Sequence, residues 1–205
     1  MKKLLAIYGS PRENGNSDIL LNEAIKGAKT ENIKIENIFV RDLKINPCKE
    51  CNYCNKTGKC IQNDDMQLVY EYLENSDYVI VATPIFFYGL PGNLKNLIDR
   101  CQSYWSKKYL LKQYKNKICK LGGFISVGGT KGKKLFDGAI LTIKYFFDVF
   151  NFVYYKDLLV RKIDSYQEIL NYPDILEKAY NLGKEIVTAN RFKTNPDKIC
   201  EHQKW

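Results

Sequence analysis

Cys48, Cys51, Cys54 and Cys60 fall within thirteen residues, in the pattern C-x2-C-x2-C-x5-C. Two consecutive C-x2-C steps followed by a fourth cysteine have the compact form that wraps a cubane iron–sulfur cluster. A structural zinc site usually draws two ligands from one turn and two from a distant one, whereas all four cysteines here are local. The spacing therefore points to a [4Fe–4S] cluster, with zinc, a redox disulfide or no metal as the alternatives. Seven cysteines in all, an odd number with four crowded together, suit metal or redox use in a reducing compartment better than a secreted disulfide framework. Cys101 and Cys119 are expected to be buried thiols packing as small apolar groups.

A second constellation lies in the loop Gly9-Ser10-Pro11-Arg12-Glu13-Asn14-Gly15-Asn16-Ser17. Small hydroxyls and free backbone N–H groups at the start of a helix suit a phosphate monoester, and Arg12 adds a charge-assisted contact. The loop is neither a G-x-G-x-x-G fingerprint nor a Walker loop. A purely structural role, with Asn16 or Ser17 as N-cap, is the competing reading. Two further strand ends are unusual: Thr83-Pro84-Ile85-Phe86-Phe87-Tyr88-Gly89 and Ser126-Val127-Gly128-Gly129-Thr130. The first offers an aromatic wall, or a surface that packs under a dimer partner. The second offers glycines that let backbone approach closely. Cradle, wall and glycine turn together suit flavin mononucleotide (FMN).

The elements that position these loops follow from hydrophobic periodicity. Strands are expected at 2–8, 33–39, 77–82, 118–127 and 152–160, with 33–39 an outer strand because its apolar residues alternate. Helices are expected at 17–28, 64–74, 92–101, 136–150 and 173–189. Strands alternating with helices imply a doubly wound parallel sheet with helices on both faces, an α/β fold. The 205 residues form one domain on this reading, with a cysteine-rich loop at 47–61 and a polar tail at 191–205 that contains the lone His202. Asp99-Arg100 reads as a structural ion pair at a helix end.

The bulk numbers exclude several classes. No apolar run approaches the roughly 20 residues of a membrane span, and the short apolar start runs straight into the first turn rather than forming a signal peptide. The expected location is the cytoplasm. Net charge is +9, from 32 basic and 23 acidic residues, but the basic residues are spread along the chain and match no nucleic-acid module. Such a surface steers anionic ligands or acidic electron-transfer partners.

With these residues in view, the chain resembles a known family. GSPRENGNS, TPIFFYGLPGNLKNLIDR and the SVGG turn look like the flavodoxin-like NAD(P)H-dependent FMN reductase superfamily, and the cysteine run narrows the match to its iron–sulfur flavoproteins. The resemblance covers roughly residues 1–160. It implies a five-stranded sheet of order 2-1-3-4-5, noncovalent FMN, and a [4Fe–4S] cluster on Cys48, Cys51, Cys54 and Cys60, with Gly58 turning the chain back. It also implies a homodimer or dimer of dimers, with flavin and cluster facing each other across subunits. On this resemblance Ser10, Arg12, Asn14, Asn16 and Ser17 hold the ribityl phosphate. Pro84, Ile85, Phe86 and Phe87 line the isoalloxazine, with Gly128 and Gly129 on its other side.

The implied function is electron transfer between a donor such as ferredoxin or NAD(P)H and a small acceptor. The chemistry is carried by the cofactors rather than by a catalytic side chain. The competing expectations are a cluster-free NAD(P)H-dependent FMN or quinone reductase and a flavin- or metal-binding module without turnover.

Overall fold

The computed structural model describes residues 1–113 and 119–189. The first residue expected in the fourth strand, Ile118, and the 191–205 tail with Cys200 and His202 lie outside them. Continuous apolar runs are what a strand covered on both faces requires, and they form β1 (Lys2–Tyr8), β3 (Tyr78–Pro84) and β4 (Lys120–Gly128). The half-exposed β2 (Ile33–Phe39) and the alternating β5 (Phe152–Arg161) take the two edges. All pairings are parallel, in the order β2-β1-β3-β4-β5.

Period-two alternation divides the interior into two cores. Leu4, Ala6 and Tyr8 of β1, with Tyr78, Ile80 and Ala82 of β3, pack with Leu20, Leu21 and Ala24 of α1 (Asn16–Ala28) and Leu182 and Ile186 of α7 (Pro173–Thr188). Leu5, Ile7, Val79, Val81 and Phe124 face the other way. They meet Val69 and Leu73 of α3 (Met66–Asn75), Leu94 and Leu97 of α4 (Gly92–Arg100), and Ile143 and Phe147 of α6 (Asp137–Val149).

α1 and α7 approach closely because each presents a glycine. A Cβ at Gly27 would lie 1.9 Å from the Tyr180 carbonyl oxygen, and one at Gly183 would lie 1.8 Å from that of Ala24. A bulge on β5 opposite Gly122 and Gly123 shifts the register with β4. Such an irregularity on an edge strand also makes the edge a poorer template for stray pairing.

Several short elements escape the hydrophobic pattern. α2 (Tyr53–Thr57) sits inside the cysteine loop, and α4 continues into α5 (Gln102–Trp105) and a wide π turn, Ser106–Leu110. No helix among the described residues is long and apolar enough to cross a membrane. Because the strands are parallel, the loops after all of them leave at the same end of the sheet. The chain changes winding direction between β1 and β3, which is where ligands collect in open α/β sheets.

Candidate functional site

The loop after β1 is tied down before it meets α1. Gly9 N–H donates to the Ala82 carbonyl at 2.8 Å. Ser10 Oγ accepts from Arg12 N–H and donates to Arg12 O, both at 3.0 Å. Asn14 turns the loop with φ 51° and gives its backbone N–H to Asp18. Gly15 is the N-cap of α1 and makes no side-chain cap, so the free N–H groups of the first turn remain available beside the cavity.

That cavity, about 420 Å³, is lined by Ser10, Pro11, Arg12, Gly15, Asn16 and Ser17 from this loop. Pro84 at the end of β3 with Ile85 and Phe86 just beyond it, and Val127, Gly128 and Gly129 at the end of β4, complete most of its wall. Three loops far apart in the chain thus share one space. Ile163 and Asp164 after β5 add a fourth wall, which the sequence analysis does not include. The rule that ligands gather at strand carboxyl ends was the signal for it. Asp164 comes so close that a Cβ on Gly129 would lie 2.9 Å from its carboxylate.

Two of the expected cofactor residues stand off this cavity, and a third contributes differently. Asn14 and Phe87 do not line it. Asn14 turns outward with the loop. Phe87 is fully solvent-exposed because residues 86–89 close a tight hairpin, with Phe86 and Gly89 exchanging hydrogen bonds of 3.0 and 2.9 Å. The two central residues, Phe87 and Tyr88, have φ of 48° and 62°, and this turn geometry aims Phe87 away from the protein. Asn16 lines the cavity, but its side chain donates to Ser165 O at 2.8 Å and accepts from Ile169 N–H at 3.1 Å. It therefore neither caps α1 nor points its amide at a ligand, and its backbone N–H is what it offers. Arg12 is exposed at the rim, with its guanidinium over the Tyr166 ring.

The four cysteines line a second and larger cleft, about 890 Å³, between their loop and α4–α5. Its base is clamped. Arg100, expected to pair with Asp99, instead forks onto Asp64 at 2.6 and 3.0 Å and donates to Asn46 O at 2.7 Å. Asp99 pairs with Lys95 at 2.7 Å. The reason is direction: Arg100 points into the protein, where Asp64 waits, while Asp99 faces solvent one residue earlier on the helix.

Burial alone would raise the Asp64 pKa. Hydrogen bonds from Arg100, Asn46 N–H and Met66 N–H, with the guanidinium charge, outweigh that and hold it at about 2. The Asp64-Asp65 pair thus both starts α3 and fastens the loop, since Asp65 also accepts from Lys44 N–H at 2.7 Å. Gly58, with φ 69°, ends α2 and turns the chain toward Cys60. Buried Ser106 in the π turn donates to Asn55 Oδ1 at 2.7 Å and lies 3.7 Å from Cys54 Sγ.

The thiols themselves are only partly assembled. Cys48 and Cys51 are exposed and Cys54 and Cys60 half-buried. Among the described residues no three Cys, His, Asp or Glu side chains are grouped closely enough to hold a metal ion. Four soft ligands on one cleft, with left-handed turns at Glu50, Asn52 and Gly58 between them, fit a sulfur-rich cluster in donor type and in sharing one cleft. Their present spread requires the loop to draw in. Cys101 is fully buried, and burial pushes its thiol pKa up. Cys119 packs half-buried against the core beneath α1 and α7, but is disulfide-bonded rather than a free thiol.

A parallel sheet ordered 2-1-3-4-5, with a cavity where the strands end and a helix begins, defines a flavodoxin-like α/β protein. The sequence pattern of the NADPH-dependent FMN reductase family matches residues 2–138, and the chain belongs to that family. An iron–sulfur flavoprotein of Methanocaldococcus jannaschii is 34% identical over 129 residues, covering 63% of each chain. The aligned part is thus less than two thirds of that relative's length. A second iron–sulfur flavoprotein of the same organism is 36% identical, covering 71% of this chain and 70% of its own. Among solved structures, a flavone reductase superposes with TM-score 0.67 at 21% identity, covering 99% of this chain and 65% of the other. That likeness speaks for the fold.

Proposed function

We propose that the protein is an FMN-dependent electron-transfer oxidoreductase that also carries a [4Fe–4S] cluster. The observation that carries this reading is the single cavity at the strand ends. It joins a helix N-terminus with free N–H groups, a serine-and-arginine loop, and an apolar wall of Pro84, Ile85 and Phe86. The first part suits a phosphate and the second a flat ring. In this reading Ser10, Arg12 and Ser17 with the backbone of Asn16 hold the phosphate, and Gly128 and Gly129 let the β4 backbone reach the ring. Cys48, Cys51, Cys54 and Cys60 hold the cluster. Bound together, FMN would supply two-electron exchange and the cluster one-electron exchange.

The end of β3 and the residues after it give Pro84–Phe86 to the cavity, and α4, which follows, gives Gly92, Asn93 and Asn96 to the cysteine cleft, so one strand–helix unit contributes to both sites. Exposed Phe87 and Tyr88, in the hairpin that follows the cavity-lining Ile85 and Phe86, support a second copy covering the flavin, in a homodimer or dimer of dimers. The donor is NAD(P)H or an acidic carrier of the ferredoxin kind, which the +9 charge would attract, in the cytoplasm.

A second reading, a cluster-free NAD(P)H-dependent FMN or quinone reductase, is favoured by one observation: the four thiols are not gathered at metal-binding distance among the described residues. Anaerobic purification with flavin, iron, sulfide and zinc analysis separates the two. One FMN with about four iron and four sulfide per chain is the expected result. FMN without iron, even after cluster reconstitution, would establish the cluster-free reductase. Absence of FMN would overturn both.

A further inference from the structure

Arg100 contains the one buried cationic donor that the described structure leaves unused. The residue is 1% exposed. Its two terminal nitrogens are committed to Asp64 and Asn46. Its Nε has no hydrogen-bond partner, and among the described residues only Asp18 Oδ1 shares that condition as a buried side-chain atom. Each buried polar group without a partner in a native fold calls for an explanation.

The location supplies one. Arg100 lines the cleft that Cys48, Cys51, Cys54 and Cys60 also line. Cys60, one of the two half-buried thiols, lines the same cleft as Arg100. The guanidinium is clamped on one side by a carboxylate, so it cannot swing away. Its remaining N–H is therefore held in place, buried and without an acceptor, on a residue of the cleft wall.

We propose that Arg100 is a positioning residue for the cysteine site, its Nε–H reserved as a hydrogen-bond donor to sulfur there, either the Cys60 thiolate or a sulfide of the bound cluster. The inference rests on the reading of this cleft as a metal–sulfur site. Hydrogen bonds to sulfur tune a cluster's potential. Arg100 thus has two roles on different edges of one planar group. The Asp64 edge closes the base of the loop, and the Nε edge faces the sulfur.

Arg100→Lys keeps the charge and a bond to Asp64 while removing the directed N–H. In the anaerobic, reconstituted protein it should retain FMN, shift the cluster's reduction potential downward, and release iron to a chelator faster. Mutations of such supporting hydrogen bonds weaken metal binding by about 10–100-fold. Wild-type potential and wild-type iron release in a variant that retains FMN would overturn the proposal.

Should Arg100→Lys fail to fold, wild-type protein labelled with ¹⁵N-arginine carries the test. The reduced cluster should show a ¹⁵N hyperfine coupling, and its absence would refute the contact. Should the wild type assemble no cluster, the cluster reading fails by itself. Co²⁺ titration of the reduced protein then decides Arg100, through the thiolate-to-cobalt absorption. Weaker Co²⁺ binding in Arg100→Lys supports the role, while equal binding, or none in either protein, overturns it.

Discussion

Arg12 and Phe87 show how two residues in neighbouring strand-end loops can have opposite relations to the same cavity. Arg12 lines it from the rim with its guanidinium resting on Tyr166, a stacked, exposed position from which a planar cation can still reach a phosphate. Arg12→Ala should weaken FMN binding by about 1.5–3 kcal/mol, the scale of a hydrogen bond to a charged group. Fluorescence titration of the apoprotein measures it, and unchanged affinity would remove Arg12 from the phosphate site. Phe87 is fully exposed and holds a left-handed backbone that residues other than Gly, Asn and Asp adopt at a cost of roughly 1–2 kcal/mol. Phe87→Asn should therefore stabilise the isolated chain by about 1 kcal/mol in denaturant unfolding. A loss of stability would mean that the aromatic ring is buried in the native assembly.

Helix packing and loop fastening are decided by a few close approaches. α1 lies against α7 through Gly27 and Gly183, where any side chain would run into the partner helix's backbone rather than a flexible chain end. Gly27→Ala should destabilise the protein by about 3 kcal/mol, the upper range for overpacking, lowering the thermal midpoint by several degrees. A near-neutral result would show that α7 can slide outward at little cost.

The cysteine loop depends on a different device, the ion pair between Asp64 at the start of α3 and Arg100 at the end of α4. With Asp64 held at about 2 when folded and near 3.9 when unfolded, its contribution is fully present above about pH 4. It is lost as pH falls from 4 through 2, because the unfolded chain takes up the proton first. The stability difference between wild type and Asp64→Asn should shrink by about 2 kcal/mol over that interval. A difference independent of pH would mean the pair contributes nothing electrostatic.

On the scale of the whole molecule, the FMN cavity and the cysteine cleft have no lining residue in common. They lie on loops that leave the same end of one sheet, so each can be lost without dismantling the other. Cys48→Ala should abolish iron binding and leave FMN at one per chain, read from the visible spectrum and metal analysis of the purified protein. Simultaneous loss of flavin would show that the cysteine loop braces the flavin cavity through the β3–α4 connection.

Local patterns carried the architecture. Apolar runs and helical spacing were enough to place the five strands and the long helices within about one or two residues of their observed ends, because burial on both faces of a parallel sheet demands those patterns wherever the chain folds. The cysteine spacing and the polar loop before α1 are likewise local, so both stand out in the primary structure. Short α2 and the π turn have too few residues to show a period.

The remaining decisions join residues distant in sequence. Arg100 chooses Asp64, 36 positions away, over its neighbour Asp99. Asn16 spends its amide on Ser165, 149 positions away, and Asp164 arrives to close the cavity. Each outcome depends on which groups the folded sheet and helices bring within about 3 Å, the reach of a hydrogen bond, and a linear sequence holds no measure of that distance until its tertiary structure has formed.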